Sequence, residues 1–325
     1  MKAIISNSYG GPDVFQLKEI PTPTPKNNEV LIKISVTSIT MASTAMRAGK
    51  PYFGRLFLGL TKPKTTIQGT DLAGEIVGLG KKVRKFKLGD KVIAETGIHC
   101  GTYAEYICLP EDDLIVEQPT NISPEEATGM LDGGSTALSF FTDSIQVEKG
   151  QKVLVNGASG SIGTAAVQLA KHFGAEVTGV CSAKNRDLVF SLGADYVIDY
   201  TNEDFTEKGK NYDVIFDTVG KLSFRKSKQA LEKNGRFLTP VLTLGVVGQM
   251  ISSSIFGNKK LIFSATGIRK PEQRMRDLLK LKELAESGKF KTVIDRTFPF
   301  ENIKQAHQYV EKGHKRGNVI LTVTS

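Results

Sequence analysis

Cysteine is scarce in this sequence: three in 325 residues, at positions 100, 108 and 181. So few, so scattered, exclude a disulfide framework and suit a reducing compartment. Long apolar runs are missing too. None reaches the roughly 20 residues of a membrane-spanning helix, and Met1-Lys-Ala-Ile-Ile opens directly into a strand-like pattern. The expectation is a cytoplasmic protein with no signal peptide and no membrane span. Lys and Arg outnumber Asp and Glu by 43 to 34, a net charge of +9, yet no basic run exceeds pairs such as Lys81-Lys82 and Lys259-Lys260. No aromatic stacking platform lies within a basic stripe, so a solvated surface explains the charge and nucleic acid is not the expected partner. Internal repeats and low-complexity segments are also absent.

What is present is α/β composition: 40% hydrophobic residues, 24% charged and 32 glycines, in a chain long enough for one large or two medium domains. The stretch from Lys152 to Lys171 organises the rest. Lys152 to Asn156 reads as a strand, Gly157 to Gly163 as a glycine-rich turn, and Thr164 to Phe173 has apolar residues at helical spacing. Ala158, Gly160 and Gly163 match the glycine fingerprint of a dinucleotide-binding βαβ unit, with Ala in first place. Small residues let the backbone turn tightly, approach a pyrophosphate and bring helix onto strand. The helix N-terminus then offers N–H groups to the phosphates. Taken alone, the motif is also compatible with an ordinary tight βα turn.

From Met1 to about Leu109 the pattern is all-β, with alternation over Val30 to Ile39 and Ala73 to Leu79 and glycines at bends between Gly69 and Val92. That pattern suggests a small, strongly curved barrel. Ser123-Pro-Glu-Glu reads as the N-cap of a helix. Parallel strands are expected at 175–181, 193–200, 212–220 and 235–240, and a helix over 271–288.

Four ordered segments carry a resemblance: the Gly69-to-Val92 hairpin, Gly101-Thr-Tyr-Ala-Glu-Tyr106, the turn at 157–163 and Gly313-His-Lys-Arg-Gly-Asn-Val-Ile-Leu321. In order and spacing the chain resembles the medium-chain dehydrogenase/reductase superfamily, in its zinc-free, zeta-crystallin-like quinone-oxidoreductase branch. The resemblance implies an α/β protein with a GroES-like β-barrel catalytic domain (1–124 and 268–325), a Rossmann NADP-binding domain with a doubly wound parallel sheet (125–267), and an active site in the cleft. Zinc-dependent relatives have Cys near position 40 and Gly-His-Glu near 69; here stand Thr40 and Gly69-Thr70-Asp71, and the cysteine cluster of a structural zinc lobe is missing after Glu95. Neither a three-ligand catalytic site nor a four-ligand structural one can be assembled, so no metal is expected.

The cofactor residues implied are Ala158, Ser159, Gly160, Ser161, Ile162 and Gly163 in the turn. With them go Thr136, matching a threonine that faces the nicotinamide end, and Tyr200, matching a tyrosine against the adenosine phosphate. Val219 is placed at the carboxyl edge of the fourth strand, and Asn318 where relatives commonly carry Lys. NAD-preferring enzymes end the second strand in Asp or Glu to hold the ribose 2′-hydroxyl. Here the chain reads Cys181-Ser-Ala-Lys-Asn-Arg186. A hydroxyl with nearby cations suits a 2′-phosphate, so Ser182, Lys184 and Arg186 predict NADPH; the competing reading is that the two cations merely open a solvated helix.

Without metal, the protein can hold a nicotinamide hydride against an already electrophilic carbon. Quinones and α,β-unsaturated carbonyls fit. Thr40 can donate to a carbonyl oxygen and Tyr52 is the first proton-donor candidate, ahead of Tyr103. Two functions stay open: an NADPH-dependent quinone or enone reductase, and a non-catalytic NADPH-binding protein, regulatory, sensing or nucleic-acid-binding, on the same fold. The apolar stretch 241–263 is expected to supply core and a homodimer interface through Rossmann edge strands.

Overall fold

The computed structural model describes residues 1–206 and 211–323. In chain order its elements begin with β1 (Lys2–Ile5), β2 (Gln16–Glu19), β3 (Glu29–Ile39), α1 (Met41–Ala48), α2 (Arg55–Leu58), β4 (Asp71–Leu79), β5 (Lys91–Glu95), β6 (Tyr106–Pro110), β7 (Ile115–Glu117) and α3 (Pro124–Ser139). There follow β8 (Lys152–Asn156), α4 (Ser161–His172), β9 (Glu176–Cys181), α5 (Arg186–Ser191), β10 (Tyr196–Asp199), β11 (Tyr212–Asp217), α6 (Phe224–Ser227), β12 (Leu231–Thr239), α7 (Leu244–Phe256) and β13 (Lys260–Phe263). The chain closes with α8 (Pro271–Glu286), β14 (Ile294–Pro299), α9 (Ile303–Glu311) and β15 (Asn318–Thr322). Two compact units result: Met1–Asp132 with Gly267–Ser287 and Thr292–Ser325, and Gly133–Thr266 with Gly288–Lys291.

The first unit is built on a seven-stranded sheet in the order β14-β15-β3-β4-β5-β7, with β6 also paired to β3. Only β14 and β15 run parallel; the other pairs are antiparallel. β3 is long and apolar on alternate positions, so it can bury Ile32 and Ile34 while pairing with three neighbours. Its register with β4 slips at Leu31/Ile32 and at Ile34/Val36, which bends the strand. Gly74 lies at the second slip, where a Cβ would stand 2.3 Å from the Lys33 carbonyl oxygen. The core gathers Ile32, Ile34, Leu72, Ile76, Val92, Tyr103 and Phe300.

This half is not purely β. The segment after β3 forms the eight-residue helix α1, started by a reciprocal cap in which the Thr40 hydroxyl accepts from Ser43 N–H and Ser43 Oγ accepts from Thr40 N–H, both at 3.0 Å. Gly49 in the left-handed region closes it. The cap uses Ser where the capping-box pattern has Glu or Gln, so it carries little signal in the sequence. α3 does open as expected: Ser123 and Glu126 cap each other at 3.0 and 3.2 Å.

The second unit is a six-stranded parallel sheet ordered β10-β9-β8-β11-β12-β13. Read from β8 onward, the strand order is 3-2-1-4-5-6, the doubly wound Rossmann arrangement, which reverses direction between β8 and β11. The central strands are near-continuous apolar runs because both faces are covered; Leu154, Val180, Ile215 and Phe237 are its core. β12 begins at Leu231, four residues before Gly235. The apolar stretch after Pro240 divides into α7 and the edge strand β13. Among the described residues, no helix is long and apolar enough to cross a membrane.

Candidate functional site

The reversal point of the parallel sheet is where loops leave β8 and β11 in opposite directions and open a crevice. Asn156 and Asp217 end those strands and face each other in register. Asn156 Nδ2 donates to Asp217 Oδ1 at 2.8 Å. Asp217, 1% exposed, also accepts from the backbone N–H groups of Val219, Gly220 and Leu222 at 3.2, 3.1 and 2.8 Å. One buried carboxylate thus fixes the turn carrying Val219. Asp217 escaped the sequence reading, although Asp three residues before Gly is a turn signal.

The glycine turn closes against it. Gly157 has φ +76°, and a Cβ there would lie 2.3 Å from Val219 Cγ2; at Gly163 a Cβ would meet the Gly157 carbonyl oxygen at 2.0 Å. Gly160 differs: its nearest neighbour would be 3.4 Å away. It is the N-cap of the 12-residue α4 and supplies no capping side chain. An uncapped helix start behind an open glycine fits an anionic phosphate, whose oxygens can occupy the space a side chain would fill. Gly133 of α3 packs on this turn, a Cβ there meeting the Ser161 carbonyl oxygen at 2.6 Å. Thr136, one turn on, is 7% exposed and its hydroxyl takes a bond from Thr266 at 3.2 Å.

Beside the glycine turn, Asn185 bridges two loops. Its Nδ2 donates to Ser159 Oγ at 2.9 Å and to Ser182 Oγ at 3.4 Å. Lys184 and Arg186 flank it on the surface, with the Arg186 guanidinium 5.5 Å from the Phe190 ring centroid. No carboxylate ends β9, but Asp199 ends its neighbour β10, level with Cys181. Thr201 N–H and Oγ1 and Asn202 Nδ2 donate to Asp199 at 2.9–3.1 Å, and the Thr201 bonds hold the carboxyl below its ordinary range. Tyr200, next in the chain, is exposed. All the expected nucleotide residues except Asn318 lie in the second unit.

In the first unit, strand register builds a polar cluster at one sheet end. Asp71 lies opposite Glu95, its neighbour Leu72 lies opposite Thr37 next to Ser38, and Val319 beside Asn318 lies opposite Ile39 next to Thr40. The Ser38 hydroxyl contacts both Asp71 carboxylate oxygens, at 2.9 and 2.7 Å. Burial pushes the Asp71 carboxyl up to about 7, against the lowering effect of Ser38 and with a further rise from Asp132. Burial also brings Lys315 down to about 8, with Asp132 and Asp295 opposing; its ammonium donates to the Gly317 carbonyl at 2.7 Å. Thr40, 4% exposed, has its oxygen committed to the α1 cap. Asn318 Nδ2 donates to the Val293 carbonyl at 3.1 Å. Tyr52 is 68% exposed and stacks on Arg55, whereas Tyr103 is fully buried against His307 and Phe15. Burial lowers His307 to about 3.

Two family models match: the alcohol dehydrogenase GroES-like domain over residues 26–120 and the zinc-binding dehydrogenase over residues 192–321. The chain is 33% identical to the chloroplast envelope quinone oxidoreductase homolog of Arabidopsis thaliana, covering 99% of this chain and 98% of that protein. It is 32% identical to the chloroplastic NADPH-dependent alkenal/one oxidoreductase of the same plant, over 99% of this chain and 79% of the relative. The solved quinone oxidoreductase of Coxiella burnetii superposes with a TM-score of 0.88 at 29% identity, over 100% and 99% of the two chains. The donor set here does not fit the zinc of the second model's description. Asp71 is engaged by Ser38, Thr40 is not a ligand type, and among the described residues no group of three His, Cys, Asp or Glu could hold a metal ion.

Proposed function

The chain belongs to the medium-chain dehydrogenase/reductase superfamily, in its quinone-oxidoreductase branch, and from that premise we propose an NADPH-dependent reductase of quinones and other α,β-unsaturated carbonyls. Its oxidoreductase character comes with the family; the cofactor, the acceptor and the residue roles are our reading. The observation that carries it is the nucleotide crevice: an uncapped α4 N-terminus behind Gly160, flanked by Ser182, Lys184 and Arg186 where a carboxylate would mark NADH.

Bound reduced nicotinamide supplies a hydride. The chain's own residues do the rest. Main-chain N–H groups at the turn orient the phosphates, and the Arg186 and Lys184 cations, with the Ser182 hydroxyl, neutralise a 2′-phosphate. The Thr40 hydroxyl, which donates to no acceptor among the described residues, can polarise the acceptor's carbonyl as charge builds on its oxygen. Tyr52, with its hydroxyl exposed to solvent, is the proton donor of this reading. The alkenal/one reductase relative supports enones as acceptors and the two quinone oxidoreductases support quinones.

The test is NADPH oxidation with a panel of quinones and enones, beside NADH and an Arg186→Ala variant. Turnover is expected with NADPH, and the variant should raise its KM about tenfold while leaving that for NADH nearly unchanged. Equal effects on both nucleotides would sink the 2′-phosphate assignment. NADPH binding without turnover on any acceptor would favour the non-catalytic alternative.

A further inference from the structure

The segment between α1 and β4 exposes a run of large apolar side chains. Leu56, Phe57 and Leu60 are each 67–68% exposed, with Tyr52 and Phe53 beside them. The backbone beneath is nonetheless well fixed. The Tyr9 hydroxyl donates to the Gly59 carbonyl at 2.7 Å, Arg55 Nε to the Gly49 carbonyl at 3.0 Å, and Lys64 N–H to the Leu58 carbonyl at 2.8 Å. Gly59, at φ +119°, makes the bend; a Cβ there would stand 2.1 Å from the Lys62 carbonyl oxygen. An ordered loop thus holds these side chains in water, where a contiguous apolar patch is unfavourable and marks a contact surface. Its charge has one sign. Lys50, Lys62 and Lys64 are exposed and make no ion pair among the described residues. Arg55 stacks on Tyr9 and Tyr52, and no Asp or Glu occurs from residue 30 to residue 70.

We propose that this segment docks on the surface of a bilayer containing anionic lipid. Apolar side chains bordered by lysines are the pattern of an interfacial segment: the former enter the headgroup and acyl boundary while the ammonium groups stay with the phosphates. A second copy of the chain fits poorly, because a two-fold contact would set two such groups of lysines together with no carboxylate of the segment to offset them. Lys is depleted from protein–protein interfaces, which favours lipid over an acidic protein face. A ligand in the adjoining groove, which Phe57 and Leu58 help to line, would leave Phe53, Leu56 and Leu60 in water.

Flotation of the full chain with vesicles, without nucleotide or acceptor, tests the contact independently of the reductase proposal. Vesicles of phosphatidylcholine alone are compared with an equal mixture of phosphatidylcholine and phosphatidylglycerol. Binding to the mixture is expected to be about tenfold tighter, and added salt should reduce it. Leu56→Ser with Leu60→Ser should weaken binding to the mixture about tenfold and leave Tm unchanged, since both side chains already stand in water. Lys62→Gln with Lys64→Gln should remove the preference for anionic lipid. Tyr52 is unaltered in every variant. Lys81→Gln with Lys82→Gln, an exposed basic pair in the turn bonded to Asn27 before β3, should change neither. Failure to float with the mixture would overturn the proposal in favour of an acidic protein partner. Binding untouched by the Leu56 and Leu60 changes, or lost equally with the Lys81 and Lys82 pair, would overturn it too, as mere adsorption of a chain of net charge +9.

Discussion

Replacing Asp71 by Asn isolates a single buried charge. Asp71 is 2% exposed, and its carboxyl is raised to about 7 mainly because burial disfavours the anion. In the unfolded chain an aspartate titrates near 3.9. The folded state therefore holds this proton more tightly than the unfolded state does. Its stabilising contribution is complete below about pH 4 and is lost as pH rises to 7. Roughly three pH units at about 1.4 kcal/mol each make the loss about 4 kcal/mol. Asn keeps an oxygen for the Ser38 hydroxyl and carries no charge to desolvate. The advantage of Asp71→Asn over the unmodified protein should thus grow between pH 5 and pH 8, by several degrees in Tm at about 2–4 °C per kcal/mol. Thermal unfolding of both proteins at the two pH values reads this directly. A difference independent of pH, or one that shrinks toward pH 8, would mean that the carboxylate is already ionised in the fold, and would refute the reasoning.

Two glycines of the turn should separate folding from nucleotide binding. Gly163→Ala forces a Cβ to 2.0 Å from the Gly157 carbonyl oxygen and should cost about 1–3 kcal/mol of stability as well as NADPH affinity. Gly160→Ala meets nothing closer than 3.4 Å, so it should leave Tm nearly unchanged yet weaken NADPH, read from nucleotide fluorescence, by tenfold or more; unchanged affinity would remove the turn from the cofactor site. On assembly, β13 is the outer strand of the six-stranded sheet, and α7 beside it exposes Leu244, Val247, Ile251 and Ile255. We expect a homodimer joined there, sedimenting at twice 35.4 kDa and dissociated by Leu244→Lys with Ile251→Lys. A monomer at micromolar concentration would exclude it.

What the sequence discloses depends on how far apart the cooperating residues lie. The glycine turn is readable because strand, turn and helix are consecutive and each has its own periodicity or small-residue demand. The parallel strands are readable because burial on both faces leaves apolar runs. Helix α1 is hidden because it is short and its start signal is a Thr-Ser cap in place of the Glu or Gln of the capping-box pattern. The polar end of the first sheet could not be read at all. Ser38 and Asp71 are 33 residues apart, and Asn318 comes to the Thr40 end of β3 only through the pairing of β15 with β3, in which Val319 lies opposite Ile39. The alternating pattern of each strand constrains its register, but which distant strands pair, and so which polar residues meet, is settled only in the assembled sheet. Likewise, Asn185 sits between the two cations expected to read a 2′-phosphate, and only the fold shows it bonded to Ser159 and Ser182. That bridge ties the loop after β9 to the glycine turn. On the proposed reading, a carboxylate introduced at Ser182 is expected to disturb the glycine turn as well as to repel a 2′-phosphate.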